Sequence, residues 1–517
     1  MLQIVAIIAI IVFTVVSVLI GVFASKRAST LEGFFLAGRG VGPWLSAFSY
    51  GTTYFSAVIF IGYAGMFGWL LGTGSILIGV GNAVIGCLLA WLVLAKPTGR
   101  MTRKLEARTM PEFFQSRYLC PKMKIYAAII IFIFLVPYAA SVYKGLGSLF
   151  SAIFTQVSPF VCMLIVAGLT AIYLILGGYV ATIWNDLFQG IIMIVGILLM
   201  VILLVNRPEV GGITEVASRL NEINPELTNM FGGEHKSMLF TNIALTSFGV
   251  WGMPQMVHKY YSIKDERSIK TATIVSTLFA VFIGCGAYFV GSLGHLFVEA
   301  GPDGMPLLEG GFDNIVPTIL MTALTDGVLG IIILCVIMLL LLSASMSTLS
   351  GLVLSSSSAV TIDLIRSAKP DISNKTQVII MRLLCLLFIA LSLFFAAMNI
   401  SFIVNLMSFS WGIVAGSFIG PFIWGLYGKF ITKIGAWAGL LSGPVVVGLL
   451  LITNVITSGF DVAKSLAPQF GVTAMAVSVV IVPIISLITK KYDESHIRKV
   501  FSVEEENAVR YNQSTVS

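Results

Sequence analysis

Apolar runs of about twenty residues recur along the whole chain, separated by short stretches of charge, glycine and proline. That is the length an α-helix needs to cross a hydrocarbon core about 30 Å thick. Placing helices on the runs, and ending them at charges, Gly and Pro, predicts thirteen spans. They lie near 2–24, 44–68, 74–95, 125–152, 157–176, 181–205, 237–257, 271–298, 327–358, 376–398, 402–427, 434–456 and 471–489. The first run has no basic segment before it and no small-residue cleavage site after it, so it reads as a retained span rather than a signal peptide. An odd number of spans puts the two termini on opposite sides of the bilayer.

Composition supports a membrane class. Of 517 residues, 57% are hydrophobic and 11% charged, and the mean hydropathy is +0.98. Soluble domains are about 45–50% apolar and about 25% charged. The formal charge of +7 does not point to nucleic acid. Of the 31 Lys and Arg, all but Lys144, Arg207, Arg219, Lys236 and Lys464 fall in loops or at span ends on one face, where lipid head groups account for them. The positive-inside rule makes that face cytoplasmic, with the N-terminus outside and a cytoplasmic tail over 490–517. The chain is thus expected to be a multi-pass protein of the plasma membrane. Cys87, Cys120, Cys162, Cys285, Cys335 and Cys385 form no CxxC or Cys/His cluster, which argues against a transition-metal centre or a disulfide framework. No Walker motif is present, which disfavours ATP-driven transport, and nothing points to an enzyme.

Two spans are interrupted. SYGTTYFSA, 49–57, breaks the second, and FGVWGMPQ, 248–255, breaks the seventh, where Pro254 removes a helix hydrogen bond. Unwound backbone survives at membrane depth only inside protein or along a polar cavity, so each break marks a candidate site. The breaks open two successive groups of five spans, the signature of an inverted-repeat transporter with a midplane site. The expected units are an extra helix at 1–25, repeats at 44–205 and 237–427, two further helices at 434–489, and the tail. Between spans, Thr109 is placed to cap a short helix beginning at Pro111 in a capping box with Glu112. Residues 314–324 read as a short helix over the external mouth, either a lid or a packed connector.

The ninth span ends in LLSASMSTLSGLVLSSSS, 341–358, rich in hydroxyls for so apolar a chain. Ala344, Ser347 and Thr348 share one helix face by their i, i+3, i+4 spacing, and Ser350 extends it. A hard cation such as sodium wants oxygen ligands, and the Ala344 carbonyl, two hydroxyls and two carbonyls freed between Thr52 and Phe55 would supply about five. A serine in a membrane helix also commonly bonds its own i−4 carbonyl or permits close packing, and that reading suits Ser355 to Ser358. Asp186, near a span end, is costly in lipid and is a functional candidate on that ground.

In order, FFLAGRG, TTYFSA, MPEFFQSRY, GGYVATIWNDLFQG, FGVWGMPQMVHKYYSIKD and ASMSTLSG make the chain resemble the sodium/solute symporter family, which includes sodium/proline, sodium/pantothenate and sodium/glucose symporters. The resemblance implies thirteen helices on the LeuT-type fold. It implies a sodium site built from the carbonyls of Thr52, Phe55 and Ala344 and the hydroxyls of Ser347 and Thr348. In some members a second sodium uses the carboxylate matched by Asp186 with further serines of the hydroxyl helix. Here Ser350 is present but Gly351 follows it, so Asp186 is left as a second-sodium, exit-path or structural residue.

The solute cavity between the breaks is then expected to be lined by Thr53, Tyr54, Ser56, Phe248, Trp251 and Gln255, with Tyr138 and Ser141 from the fourth span. Tyr138 resembles a substrate-site tyrosine of the proline carriers, but Tyr54 stands where they carry an aspartate, and Thr246 and Val250 stand where they carry aromatics, which disfavours proline. WNDLFQG and the run after Pro254 look closest to pantothenate carriers and favour a carboxylate-bearing solute. Lys144 needs an anion; a solute carboxylate, Asp186, or snorkelling to the outer surface would each serve. The function expected is sodium-coupled import of a small organic solute, with sodium the sole ion, the bilayer as environment, and no nucleic-acid or obligate protein partner. Amino-acid or sugar uptake and a membrane sensor on the same scaffold are the alternatives; the short tail argues against the sensor.

Overall fold

A computed structural model describes residues 2–25, 31–324, 327–398 and 401–501. The charges at Lys26 and Arg27 and the tail beyond 501 lie outside these residues. The described chain is helical, and ten of its helices are long and apolar enough to cross a bilayer. Two of these, Val58–Lys104 (α3) and Pro159–Val205 (α6), hold 47 residues each. At 1.5 Å per residue each runs about 70 Å, more than twice the hydrocarbon thickness. Both break at a glycine with positive φ, Gly72 at +53° and Gly178 at +55°. A Cβ at Gly178 would lie 2.7 Å from the Phe34 carbonyl oxygen, so the break requires glycine on grounds of space as well as φ. The predicted spans 157–176 and 181–205 lie on either side of it.

Leu2–Ser25 (α1) lies on the periphery against α6, with Asn185 Nδ2 donating to the Ser17 carbonyl at 3.3 Å. The second span is interrupted as expected: Pro43–Tyr54 (α2) ends where Phe55 turns to extended backbone (φ −99°, ψ 108°), and α3 starts at Val58. The seventh splits into Lys236–Gly249 (α7) and Pro254–Ser262 (α8), joined by four non-helical residues. Pro254 opens α8 at a position where its missing N–H costs nothing, so it starts a helix rather than kinking one. Val41 N donates to the Ser262 carbonyl at 3.2 Å and Lys264 N to the Val41 carbonyl at 3.0 Å. These two bonds tie the approach to the first break to the exit from the second.

Between α3 and α5 (Pro121–Ile153) lies the short helix Met110–Tyr118 (α4). Thr109 caps it, accepting from Glu112 N at 3.0 Å. The reciprocal half of the expected box is displaced by one residue: Glu112 accepts from Arg108 N, at 2.8 Å, and pairs with the Arg108 guanidinium. Glu266–Leu296 (α9) follows α8, and Ile315–Leu324 (α10) is the short helix expected at 314–324. Gly327–Ala368 (α11) carries the hydroxyl run, and every residue from 340 to 359 is buried; among the described residues the hydroxyls of Ser347, Thr348, Ser350, Ser357 and Ser358 have protein partners, whereas those of Ser343, Ser345 and Ser356 have none. Asn374–Ala397 (α12) and Ile403–Tyr427 (α13) complete the second group. Lys433–Ser458 (α14) and Ala467–Leu487 (α15) pack on α13 through small residues; a Cβ on Gly412 would lie 2.7 Å from Gly471 Cα.

Candidate ion and solute site

The end of α2 and the middle of α11 meet through hydroxyls. Where α2 unwinds, the Thr52 and Thr53 carbonyls lose their helical donors. The Thr348 hydroxyl takes them up, lying 3.0 Å from the Thr53 oxygen and 3.4 Å from that of Thr52. Ser347 Oγ lies 2.8 Å from Thr52 Oγ1 and 2.6 Å from Asp186 Oδ1. Thr52 Oγ1 in turn lies 2.8 Å from the Phe48 carbonyl. Ser347 and Thr52 thus have two hydroxyl protons for three close oxygen contacts. With Ser347 donating to the carboxylate and Thr52 to Phe48, both oxygens present only lone pairs to each other. A set of oxygens short of protons is an environment that a cation completes. Phe55 and Ala344 are fully buried on adjoining turns of the same two segments.

Asp186 therefore reaches Ser347, not Ser350 as its grouping with that residue anticipated. The Ser350 hydroxyl bonds the Ser347 carbonyl of its own helix at 2.8 Å, the local back-bonding open to any short hydroxyl side chain. Asp186 Oδ2 accepts from Ser49 of α2, and Ser49 Oγ accepts from Lys259 Nζ at 2.7 Å. The Lys259 ammonium lies 3.9 Å from Asp186 Oδ2, both side chains are only 1% exposed, and the ammonium stands over the Tyr179 ring. Read from sequence as a loop charge of the segment 258–270, Lys259 is a buried residue of α8. The available signal was its spacing: Gln255 and Lys259 are i, i+4 and share one face of the helix after the break.

Among the expected solute groups, Thr53, Tyr54, Ser56, Tyr138, Ser141, Trp251 and Gln255 are buried. Among the described residues Thr53 Oγ1 and Gln255 Oε1 have no partner, and both residues border Gly351. The Tyr138 ring stands edge-on to Trp411, 5.7 Å between centroids, and Trp411 Nε1 is likewise buried without a partner among the described residues. Trp411 was missed because an indole within an apolar run carries no pattern of its own. Other groups are already engaged. Tyr54 OH donates to the Thr246 carbonyl at 2.8 Å, Trp251 Nε1 to the Ile85 carbonyl at 3.1 Å, and Ser141 to the Tyr138 carbonyl. Phe248 is 40% exposed, and its ring stands edge-on to Trp251 at 5.6 Å between centroids.

Lys144 has an anion of its own. Its ammonium lies 3.2 Å from Asp313 Oδ2, just before α10, and donates to the Ser401 carbonyl at 2.7 Å. Asp313 was not among its expected partners, which were a solute carboxylate and Asp186. Burial pushes the Asp313 carboxyl up, and the Lys144 charge pulls it back.

Two broken helices around a buried polar centre, with a fully buried hydroxyl helix against one break, define a helical secondary transporter. The sodium:solute symporter family profile matches residues 34–443, and the chain belongs to that family. It is 28% identical to the osmoregulated proline transporter of Bacillus subtilis, over 93% of this chain and 94% of that protein. It is also 28% identical to the sodium/proline symporter of Haemophilus influenzae, over 92% and 93%. A Na+-coupled sialic acid symporter, solved in its substrate-bound outward-open state, superposes with a TM-score of 0.76 at 19% identity, covering 95% of this chain and 98% of that one. That likeness shows the fold, which is of the LeuT type.

Proposed function

We propose that the protein imports a small carboxylate-bearing solute in symport with sodium across the plasma membrane, with its basic loops and C-terminus cytoplasmic. The observation that carries this reading is the meeting of Ser347 and Thr348 with the α2 break, in a chain whose family is named for sodium:solute symport. Sodium entering from outside takes the oxygens of Thr52, Phe55, Ala344, Ser347 and Thr348. By bridging α2 and α11 it fixes the end of the break, and with it Thr53, which stands beside Gln255 at the solute cavity. Sodium and solute thus favour the same arrangement, which is what coupling requires. Rocking of the broken helices then opens the site inward. Each charge moved through the membrane potential supplies about 2.3 kcal/mol per 100 mV, enough for roughly fiftyfold accumulation at about 100 mV and one-to-one coupling.

Proline is a second reading, favoured by the names of the relatives. The engaged Tyr54 hydroxyl weighs against a site that grips the proline amine at that position. Proteoliposomes loaded without sodium and diluted into sodium or choline medium, with labelled L-proline, short monocarboxylates and glucose as probes, test both. Saturable uptake of a carboxylate other than proline, in sodium only, is expected. Uptake of proline alone moves the assignment to the second reading, and equal uptake in choline overturns sodium coupling.

A further inference from the structure

Resting on that reading, we infer that Lys259 is a tethered cation standing in for a second sodium ion at Asp186, so that the protein carries a single sodium per cycle. Asp186 is the one acidic group in contact with the hydroxyl cluster among the described residues, and both of its oxygens are in use. Oδ1 accepts from Ser347 at 2.6 Å, and Oδ2 accepts from Ser49. Its charge is met by Lys259, which reaches it both directly, at 3.9 Å, and through Ser49, at 2.7 Å from Nζ. A sodium ion on Asp186 Oδ2 would have to share this space with an ammonium that has almost no contact with solvent, and like charges at that separation repel strongly where water cannot screen them.

The ligands for such an ion are also withdrawn. The Ser350 hydroxyl is turned onto the Ser347 carbonyl. The next position is Gly351, where an added Cβ would lie 3.0 Å from Thr53 Cγ2 and 3.7 Å from Gln255 Cβ. Absence of a side chain at 351 therefore brings two solute-cavity residues close to α11, in place of a hydroxyl aimed at Asp186. Lys259 also has a positioning role: by holding Asp186 charged and in place, it keeps the Ser347 hydroxyl donating to the carboxylate and the Ser347 lone pairs free for the transported ion.

Equilibrium binding of radioactive sodium to the purified full-length protein, with saturating solute, reads the number of ions directly. One sodium per chain is expected for the native protein, and two would overturn the inference. No sodium bound would overturn the symport reading itself, so the two failures are distinguishable. In Lys259→Gln the uncompensated Asp186 should recruit a second ion, raising the count to two and steepening the sodium dependence of solute binding from a Hill coefficient near one toward two. Lys259→Arg should stay at one, and Lys259→Gln combined with Asp186→Asn should return to one. A count of one in Lys259→Gln would overturn the inference. Lys259→Met, close to lysine in length, serves the same purpose if the glutamine variant does not fold.

Discussion

Two Lys–Asp pairs show how the same chemistry is put to different uses at two depths. Lys259–Asp186 lies beside the hydroxyl cluster with both side chains 1% exposed, its charges 3.9 Å apart and linked through Ser49. Lys144–Asp313 lies under the connector before α10, its charges 3.2 Å apart, with Lys144 18% and Asp313 5% exposed. The inner pair has no water to replace a lost partner. The outer pair joins α5 to the connector and to Ser401, and its lysine is partly exposed. The inner pair therefore suits permanent charge balance, and the outer one suits a contact that is made and broken.

The largest expected effect is on the inner pair. Asp186→Ala strands a buried ammonium and should cost about 3–5 kcal/mol of stability, as measured by denaturant unfolding in detergent. Asp186→Asn combined with Lys259→Met should recover most of that loss, because neither charge remains. If the single and double variants are equally destabilised, the pair is not the source of the effect. Next comes Ser347→Ala with Thr348→Ala. Losing two ion contacts of about 1.5–3 kcal/mol each should weaken sodium binding by roughly 100-fold or more, with the solute affinity at saturating sodium changing far less. Lys144→Met should cost only about 1–2 kcal/mol, discounted from the buried-pair range for the exposure of its lysine, and should change sodium affinity less than about threefold. A change as large as that of the Ser347/Thr348 variant would mean that the two depths are not distinct. The smallest effect on sodium affinity is expected for Thr109→Ala, which removes the cap of α4, about 1 kcal/mol, together with a hydrogen bond to the buried Asp363 carboxylate, and touches neither pair.

The breaks were legible because they violate the composition of a span: Gly51, the hydroxyls after it, and Pro254 stand out against apolar surroundings. Ser347 and Thr348 were legible by spacing, although what they touch was not. Ser350 shares their face, yet its short side chain takes the nearest carbonyl, and no pattern along the sequence distinguishes the two outcomes. Lys259 was misplaced for a specific reason. A lysine near the basic end of a span is ordinarily a loop charge, and only the continuation of α8 to Ser262 carries it into the protein. Asp313 was not singled out from the sequence, because its partner lies 169 positions earlier in the chain and their pairing is set by how the connector folds over α5.

The central claim is that the transported sodium sits between the α2 break and the hydroxyl face of α11. Its most direct test is the sodium affinity of purified Ser347→Ala/Thr348→Ala protein, measured beside the native chain and Lys144→Met. The account predicts a loss of roughly 100-fold in the first variant and less than about threefold in the second. Native sodium affinity in the Ser347→Ala/Thr348→Ala protein would contradict it.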